Sequence, residues 1–327
     1  METKPKKRRR ALKITCIVLG CVLVLAVAAL GWVGNFFFNF ALNPKADVAF
    51  EDSPSSLVEG APAAQVNPYV AADPDAWLAE HAEDAWLTSR DALELHAYRA
   101  DIPGGHRYAI LCHGYKNQAK NMAAQASHFY DLGYSVLLPD ARGHGLSQGD
   151  YIGMGWPERH DIVDWIATLV EADPQAEIVL YGVSMGGATV MMVSGEALPE
   201  NVKCIVEDCG YASVWDEFAG QLDDLYGLPP VPVLNALDVV CRIRAGYSIV
   251  EASAVDQVAK SVTPTLFIHG DADAFVPFRM LDQVYNAAAC EKEKLVVEGA
   301  AHAKSDDVDP ELYWTTVDGF LARHVGA

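Results

Sequence analysis

Gly182-Val183-Ser184-Met185-Gly186-Gly187 follows directly on the apolar run Ile178-Val179-Leu180-Tyr181. A serine flanked by glycines at this spacing, with a strand before it and a helix-forming Ala-Thr-Val-Met-Met-Val stretch after it, predicts a sharp strand–turn–helix that presents Ser184 as a nucleophile. A serine hydroxyl attacks a carbonyl only when a base takes its proton and a carboxylate orients that base. His302, in the small-residue loop Gly299-Ala300-Ala301-His302-Ala303, is the candidate base. Three acids stand after the serine in chain order. Asp271 and Asp273 follow the apolar run 265–268, and Asp208 ends the run 202–207. Asp273 is preferred because Val276-Pro277 stiffens its loop, whereas Asp271 reads as a turn former and Asp208 is the outside candidate. Acyl transfer also needs donors for a tetrahedral oxyanion. The backbone N–H of Met185 at the helix start is one candidate, and that of Tyr115 in the loop His113-Gly114-Tyr115-Lys116 is the other. His113 itself reads as a structural residue of that loop.

These groups must be held by an alternation of strands and helices. Apolar runs at 108–112, 135–138, 178–181, 202–207, 265–269 and 295–297 predict strands. Helical patterns occupy 119–132, 158–172, 189–198 and 311–324. Such alternation means βαβ units and a mostly parallel sheet flanked by helices. A short helix over 77–86 and a hairpin at 87–89 and 93–98 precede it. The interval 210–263 is too long for a plain crossover. Its two helical patterns, at 214–226 and 234–244, are broken by Leu228-Pro229-Pro230-Val231-Pro232 and predict a cap over the C-terminal edge of the sheet.

From about Trp77 to its end the chain resembles the α/β-hydrolase superfamily. More narrowly it resembles bacterial serine hydrolases with a serine-aminopeptidase-like or dienelactone-hydrolase-like core. The residues carrying the likeness are His113-Gly114-Tyr115, the segment Pro139-Asp140-Ala141-Arg142-Gly143-His144-Gly145-Leu146-Ser147, the elbow 182–187, His269 to Pro277, and His302. The resemblance implies an α/β-hydrolase fold, a triad of Ser184, Asp273 and His302, an oxyanion hole at Tyr115 and Met185, and Asp140 and His144 as scaffold. The chain departs from the pattern at Arg90-Asp91-Ala92, where relatives often carry Asp-Gly in the hairpin turn.

The 327 residues carry a formal net charge of −20, unevenly spread. Residues 1–13 hold seven Lys or Arg against Glu2, leaving 17 basic and 43 acidic residues in the remainder. So acidic a body repels nucleic acid, and a nucleic-acid role is excluded. No charged residue occurs from Ile14 to Pro44. The expected organisation is a cytoplasmic basic segment (1–13), an uncleaved single-pass signal anchor (14–34), a tether (35–75) and a hydrolase domain with its cap (76–327). The basic flank sets the N-terminus in the cytoplasm and the catalytic domain on the outer side of the cell membrane. Cys204 and Cys209 lie too far apart along a strand to bridge, and no Cys/His spacing suggests zinc.

Together these readings predict a membrane-anchored serine hydrolase that cleaves small-molecule carboxylic esters through an acyl-enzyme, with no cofactor and no metal. The apolar cap residues Val214, Trp215, Phe218, Leu222 and Leu225 suggest a lipophilic or aromatic acyl pocket. A serine peptidase or aminopeptidase with the same triad is the alternative. It would need a fixed acid for the substrate's amine, with Asp216, Glu217, Asp223 and Asp224 available in the cap. An inactive hydrolase fold used as a binding module is the third reading. It is disfavoured because every catalytic position is filled.

Overall fold

A computed structural model describes residues 4–46 and 65–326. Its centre is an eight-stranded sheet in the order β1-β2-β4-β3-β5-β6-β7-β8. The strands are β1 (Glu83–Thr88), β2 (Glu94–Ala100), β3 (Arg107–Cys112), β4 (Ser135–Pro139), β5 (Glu177–Val183), β6 (Val202–Asp208), β7 (Thr265–Gly270) and β8 (Lys292–Val297). β2 pairs antiparallel with both β1 and β4, and all other pairings are parallel. The central strands are buried on both faces, as a parallel sheet covered by helices requires. On one face Val179 and Tyr181 pack with Phe129, Trp314 and Phe320. On the other, Ile178 and Leu180 pack with Ile162, Trp165 and Val190.

The first face is covered by α3 (Ala123–Asp131) and α11 (Pro310–His324), the second by α4 (Glu158–Ala172) and α5 (Met185–Val193). β4 and β5 lie on opposite sides of β3. The strand order therefore reverses there, and a crevice opens beyond the carboxyl ends of β3 and β5. The loops that carry Tyr115 and Ser184 leave the sheet at that crevice.

Residues 77–86 do not form one helix. Asp73 caps α2 (Pro74–His81) by accepting from Ala76 N at 3.0 Å. Ala82 is extended, and β1 takes over at Glu83 because each of its residues pairs with β2, Trp86 opposite His96. α5 begins at Met185, four residues ahead of the Thr189 start read from the sequence, because the two glycines are themselves helical. Three short helices escaped the periodicity reading: α8 (Ala254–Val258), α9 (Arg279–Ala287) and α10 (Ser305–Val308).

The cap consists of α6 (Val214–Tyr226) and α7 (Pro230–Arg244). The N-terminal helix α1 spans Lys4–Leu42, and its stretch from Arg10 to Leu42 is long and apolar enough to cross a membrane. Its outer turns are exposed, but Phe38, Ala41 and Leu42 are buried in the same core cluster as Leu234 and Leu237 of α7. Arg244 fastens the contact. Its guanidinium lies 4.0 Å from the Phe38 ring centre, and Nη1 donates to Asn35 Oδ1 at 2.8 Å and Asn39 Oδ1 at 2.9 Å. The segment expected as tether over 35–75 thus begins as docked helix, since burying Phe38 and Leu42 outweighs leaving them in water. Its residues 47–64 lie outside the described residues.

Candidate active site

Ser184 stands between β5 and α5 with φ 59° and ψ −118°. That left-handed backbone costs a non-glycine residue on the order of 1–3 kcal/mol. The surrounding lattice holds it in place. Ser184 N donates to the Asp208 carbonyl at 2.8 Å, at the end of the adjacent strand. Gly186 is obligatory because a β-carbon there would overlap the Cys112 carbonyl at the end of β3.

The structure brings Ser184, His302 and Asp273 together from three chain segments. Ser184 Oγ is 2.8 Å from His302 Nε2, and His302 Nδ1 is 2.8 Å from Asp273 Oδ2. Asp273 Oδ1 accepts from the backbone N–H groups of Phe275 and Val276, both at 3.0 Å. His269 Nε2 also lies 3.1 Å from Asp273 Oδ2. Burial alone would raise the pKa of this carboxyl. The neighbouring His302 and the hydrogen bonds from His269 and His302 outweigh burial and hold it below the usual carboxylate range. Asp273 is therefore an anion buried beside two imidazoles.

The two other acids do different work. Asp271 Oδ1 accepts from Gly299 N at 2.6 Å and so pins the loop that leads to His302. Asp208 Oδ2 accepts from the Tyr313 hydroxyl at 3.0 Å, and burial pushes its pKa up to about 7. Neither touches His302.

Tyr115 lines the same cavity as Ser184, and Gly114 before it approaches the Ser184 side chain. Met185 is the first residue of α5. The Tyr115 loop is fastened by two imidazoles. His113 Nε2 accepts from Ala141 N at 3.0 Å, so its proton sits on Nδ1 and is donated to the Gly114 carbonyl at 2.8 Å. His144 Nε2 accepts from Lys116 N at 3.2 Å, while its Nδ1 donates to the Arg142 carbonyl at 3.1 Å. Burial lowers the pKa of both rings, His144 to about 3 with His113 also contributing, and their neutral forms supply these acceptors. Asp140 accepts from Ala119 N at 2.7 Å and Leu146 N at 3.0 Å. Arg142 donates to Asp161 and Asp91, tying the loop to the hairpin.

This loop also meets the N-terminal helix. Tyr115 Oη donates to the Ala41 carbonyl at 2.7 Å, Lys116 Nζ donates to the Ala46 carbonyl, and Ile152 N donates to the Leu42 carbonyl at 2.8 Å. Nothing in the sequence motifs announces these contacts.

A cavity of about 20 Å³ opens at Ser184, walled by Tyr115, Tyr211, Phe218, Phe275, Glu217 and Gln221 among others. Of the five apolar cap residues expected to form an acyl pocket, Phe218 alone lines it. Leu222 and Leu225 line a separate space against Phe37 and Phe40 of α1. Val214 belongs to the core, and Trp215 borders an outer groove. The cause is helical geometry: residues four and seven positions beyond Phe218 rise away from the sheet toward α1. Among the cap acids, Glu217 is 4% exposed, whereas Asp216, Asp223 and Asp224 face solvent.

Three neighbours of the site were given no place in it by sequence reasoning. His269 shares the Asp273 carboxylate. Glu207, whose pKa burial raises to about 8, accepts from Gly210 N at 3.0 Å. Cys209 places its sulfur within 4.8 Å of Asp273 and His302 donor atoms. Burial holds its thiol well above the ordinary cysteine range, so it remains protonated. All seven cysteines are free thiols.

The family model for the alpha/beta hydrolase fold matches residues 110–228. The YqkD protein of Bacillus subtilis is 30% identical over 233 residues, covering 69% of this chain and 76% of YqkD. The chain belongs to the α/β-hydrolase superfamily. Solved structures of the fold extend the likeness across the same region. The Pyrococcus furiosus esterase Pf2001 superposes on this α/β hydrolase with a TM-score of 0.63 at 23% identity, covering 78% of this chain and 96% of the esterase. The acylaminoacyl peptidase of Pyrococcus horikoshii gives a TM-score of 0.57 at 17% identity, covering 75% of this chain and 42% of the peptidase. Both are matched in fold by this hydrolase.

Proposed function

We propose that this chain is a membrane-anchored serine hydrolase that cleaves carboxylic esters through an acyl-enzyme. The observation that carries the reading is the unbroken hydrogen-bonded relay from Ser184 Oγ through His302 to Asp273. In the first half-reaction His302 Nε2 takes the Ser184 proton as Oγ attacks the ester carbonyl. The N–H groups of Tyr115 and Met185 receive the oxyanion, at the positive end of α5. His302 then passes its proton to the leaving alcohol. Water enters, is deprotonated by the same imidazole, and releases the acid. Asp273 keeps its charge throughout and stabilises the imidazolium.

The fold's esterase neighbours support ester chemistry, and α1 supports attachment to a membrane, with the basic N-terminus on the cytoplasmic side. A peptidase using the same three residues is a second reading, favoured by one observation, the acid Glu217 in the cavity wall. Labelling of the wild-type protein and Ser184→Ala with a fluorophosphonate probe tests the nucleophile, and labelling of the alanine variant at wild-type level would overturn it. Rates on p-nitrophenyl esters against aminoacyl anilides then separate esterase from peptidase.

A further inference from the structure

Glu217 and Gln221 lie one helical turn apart on α6, each 4% exposed, and both side chains line the cavity at Ser184. Gln221 Nε2 donates to Glu217 Oε1 and to the Phe275 carbonyl, each at 3.1 Å. Both amide protons are thus engaged, which fixes the orientation of the side chain and leaves Gln221 Oε1 as an acceptor. Gln221 Oε1 and Glu217 Oε2 are buried and have no hydrogen-bond partner among the described residues. Leaving a polar atom buried and unpaired costs about 1–3 kcal/mol. Here two such atoms belong to residues that line one small cavity at Ser184.

The cavity's volume, about 20 Å³, suits one group of roughly water size. A hydrocarbon chain would leave both oxygens unpaired, whereas an ammonium can donate to both, and a hydroxyl can donate to Gln221 Oε1 while accepting from a protonated Glu217 carboxyl. The aromatic walls Tyr115, Tyr211, Phe218 and Phe275 exclude solvent around such a group and suit a cation equally. We infer that Glu217 and Gln221 form an acyl-side subsite for a substrate whose acyl group carries a hydrogen-bond donor, hydroxyl or ammonium, a few atoms from the scissile carbonyl. The inference rests on the serine-hydrolase reading and narrows its substrate class from lipophilic to polar short-chain acyl groups. The protonation of Glu217 fits both donors. Burial pushes its pKa up to about 8, so its carboxyl is neutral toward a hydroxyl and can ionise against an ammonium.

The test measures kcat/KM of the full-length protein on three matched phenyl esters: butyrate, 3-hydroxybutyrate and 3-aminobutyrate. The wild type should favour at least one donor-bearing ester over butyrate by 10-fold or more. Glu217→Leu and Gln221→Leu should each bring that ratio toward one. Glu217→Gln separates the two donors, since it should keep a hydroxyl preference and lose an ammonium preference. A wild-type rate on butyrate that equals or exceeds both others overturns the inference without reference to any variant. So does a ratio unchanged in folded Glu217→Leu. Fluorophosphonate labelling of Ser184 in the same samples keeps the two readings apart. Labelling with a flat ester profile refutes the subsite alone, whereas no labelling and no ester hydrolysis refutes both.

Discussion

Asp273→Asn tests the catalytic assignment more sharply than deletion of the serine, because the structure dictates which way the new amide must face. In the wild type Oδ1 accepts two backbone N–H groups, from Phe275 and Val276. An asparagine at 273 keeps these bonds only if its carbonyl oxygen takes the Oδ1 position. Its NH₂ must then occupy the Oδ2 position, 2.8 Å from His302 Nδ1. That NH₂ can only donate, so His302 Nδ1 must accept and the ring proton moves to Nε2. A protonated Nε2 cannot accept from Ser184 Oγ, and the nucleophile loses its base. Enforcing the wrong tautomer in a triad of this kind lowers kcat by about 10⁴-fold, equivalent to about 5.4 kcal/mol in the barrier. The same NH₂ faces His269 Nε2, which lies 3.1 Å from Asp273 Oδ2. An unpaired donor there should cost about 1–3 kcal/mol of stability. Ester hydrolysis under saturating substrate measures the first effect, fluorophosphonate labelling rate provides a second readout, and thermal unfolding measures the stability cost. Asp273→Ala imposes no tautomer and should be at least as active as the asparagine variant. Folded Asp273→Asn with kcat within tenfold of wild type would refute the reasoning.

Tyr115→Phe removes the bond to the Ala41 carbonyl. It should lower the melting temperature by a few degrees, for a loss of about 1 kcal/mol, and reduce kcat more than it raises KM. Equal kinetics in wild type and variant would show that α1 has no influence on the proposed oxyanion donor at Tyr115. Gly186→Ala sets a methyl group against the Cys112 carbonyl. Fluorophosphonate labelling should fall below a tenth of wild type, and full labelling would contradict the close approach. Stability should also fall as pH rises from 6.5 to 8. Glu207 and Glu217, with folded pKa values of about 8, bind protons in the folded state that the unfolded chain has already released. Each contributes a loss on the order of 1.4 kcal/mol per pH unit across that window. His269, raised by Asp273 although burial alone would lower it, acts in the same direction. Asp208 and Glu158, raised by burial to about 7, act in the same direction, whereas His113, His144 and His160, lowered by burial, oppose the trend most at the lower end of the window, where the unfolded imidazoles are still partly protonated. Urea unfolding at pH 6.5 and 8 checks the sign, and Glu207→Gln should flatten the slope.

The parallel strands and long helices were legible because their apolar runs are uninterrupted and bounded by turn residues. α4 runs from Glu158 to Ala172, as its periodicity predicts. The fold also followed from resemblance, since the elbow and the Pro-Asp-Ala-Arg-Gly-His-Gly segment are specific to it. Legibility failed where local pattern and tertiary pairing disagree. The segment 77–86 looks amphipathic, yet the edge of β2 recruits Trp86 into a strand. α8 and α10 span five and four residues, too few to show a period, and were placed by contacts instead. At the site, Ser184 and His302 could be named from motif and chain order. The choice among Asp208, Asp271 and Asp273 turns on which loop curls back to an imidazole. His269, seven residues upstream of the Val276 carbonyl it contacts at 3.0 Å, is visible as a neighbour of Asp273 only once the loop is closed. Glu217 illustrates the limit best. Its sequence neighbours Asp216, Asp223 and Asp224 are solvent-facing acids, and helical phase alone rotates the fourth inward.

The placement of α1 gives the proposed anchor a second role, inside the domain. A tether that merely holds an enzyme at a surface can be cut without altering chemistry. Here the last turn of the helix buries Phe38, Ala41 and Leu42 in the core that also holds Met185 and Phe218. The free carbonyls at its C-terminus are the groups any helix must satisfy, and two segments of the domain supply donors: Tyr115 Oη reaches Ala41 and Ile152 N reaches Leu42, while Lys116 Nζ holds the Ala46 carbonyl just past the helix end. Tyr115 and Lys116 belong to the loop whose backbone approaches Ser184 at Gly114. The helix end thus completes the domain by capping, and the domain in return fixes the loop. The geometry of the Tyr115 loop and the seating of the apolar helix are therefore one packing problem, solved by the same few hydrogen bonds.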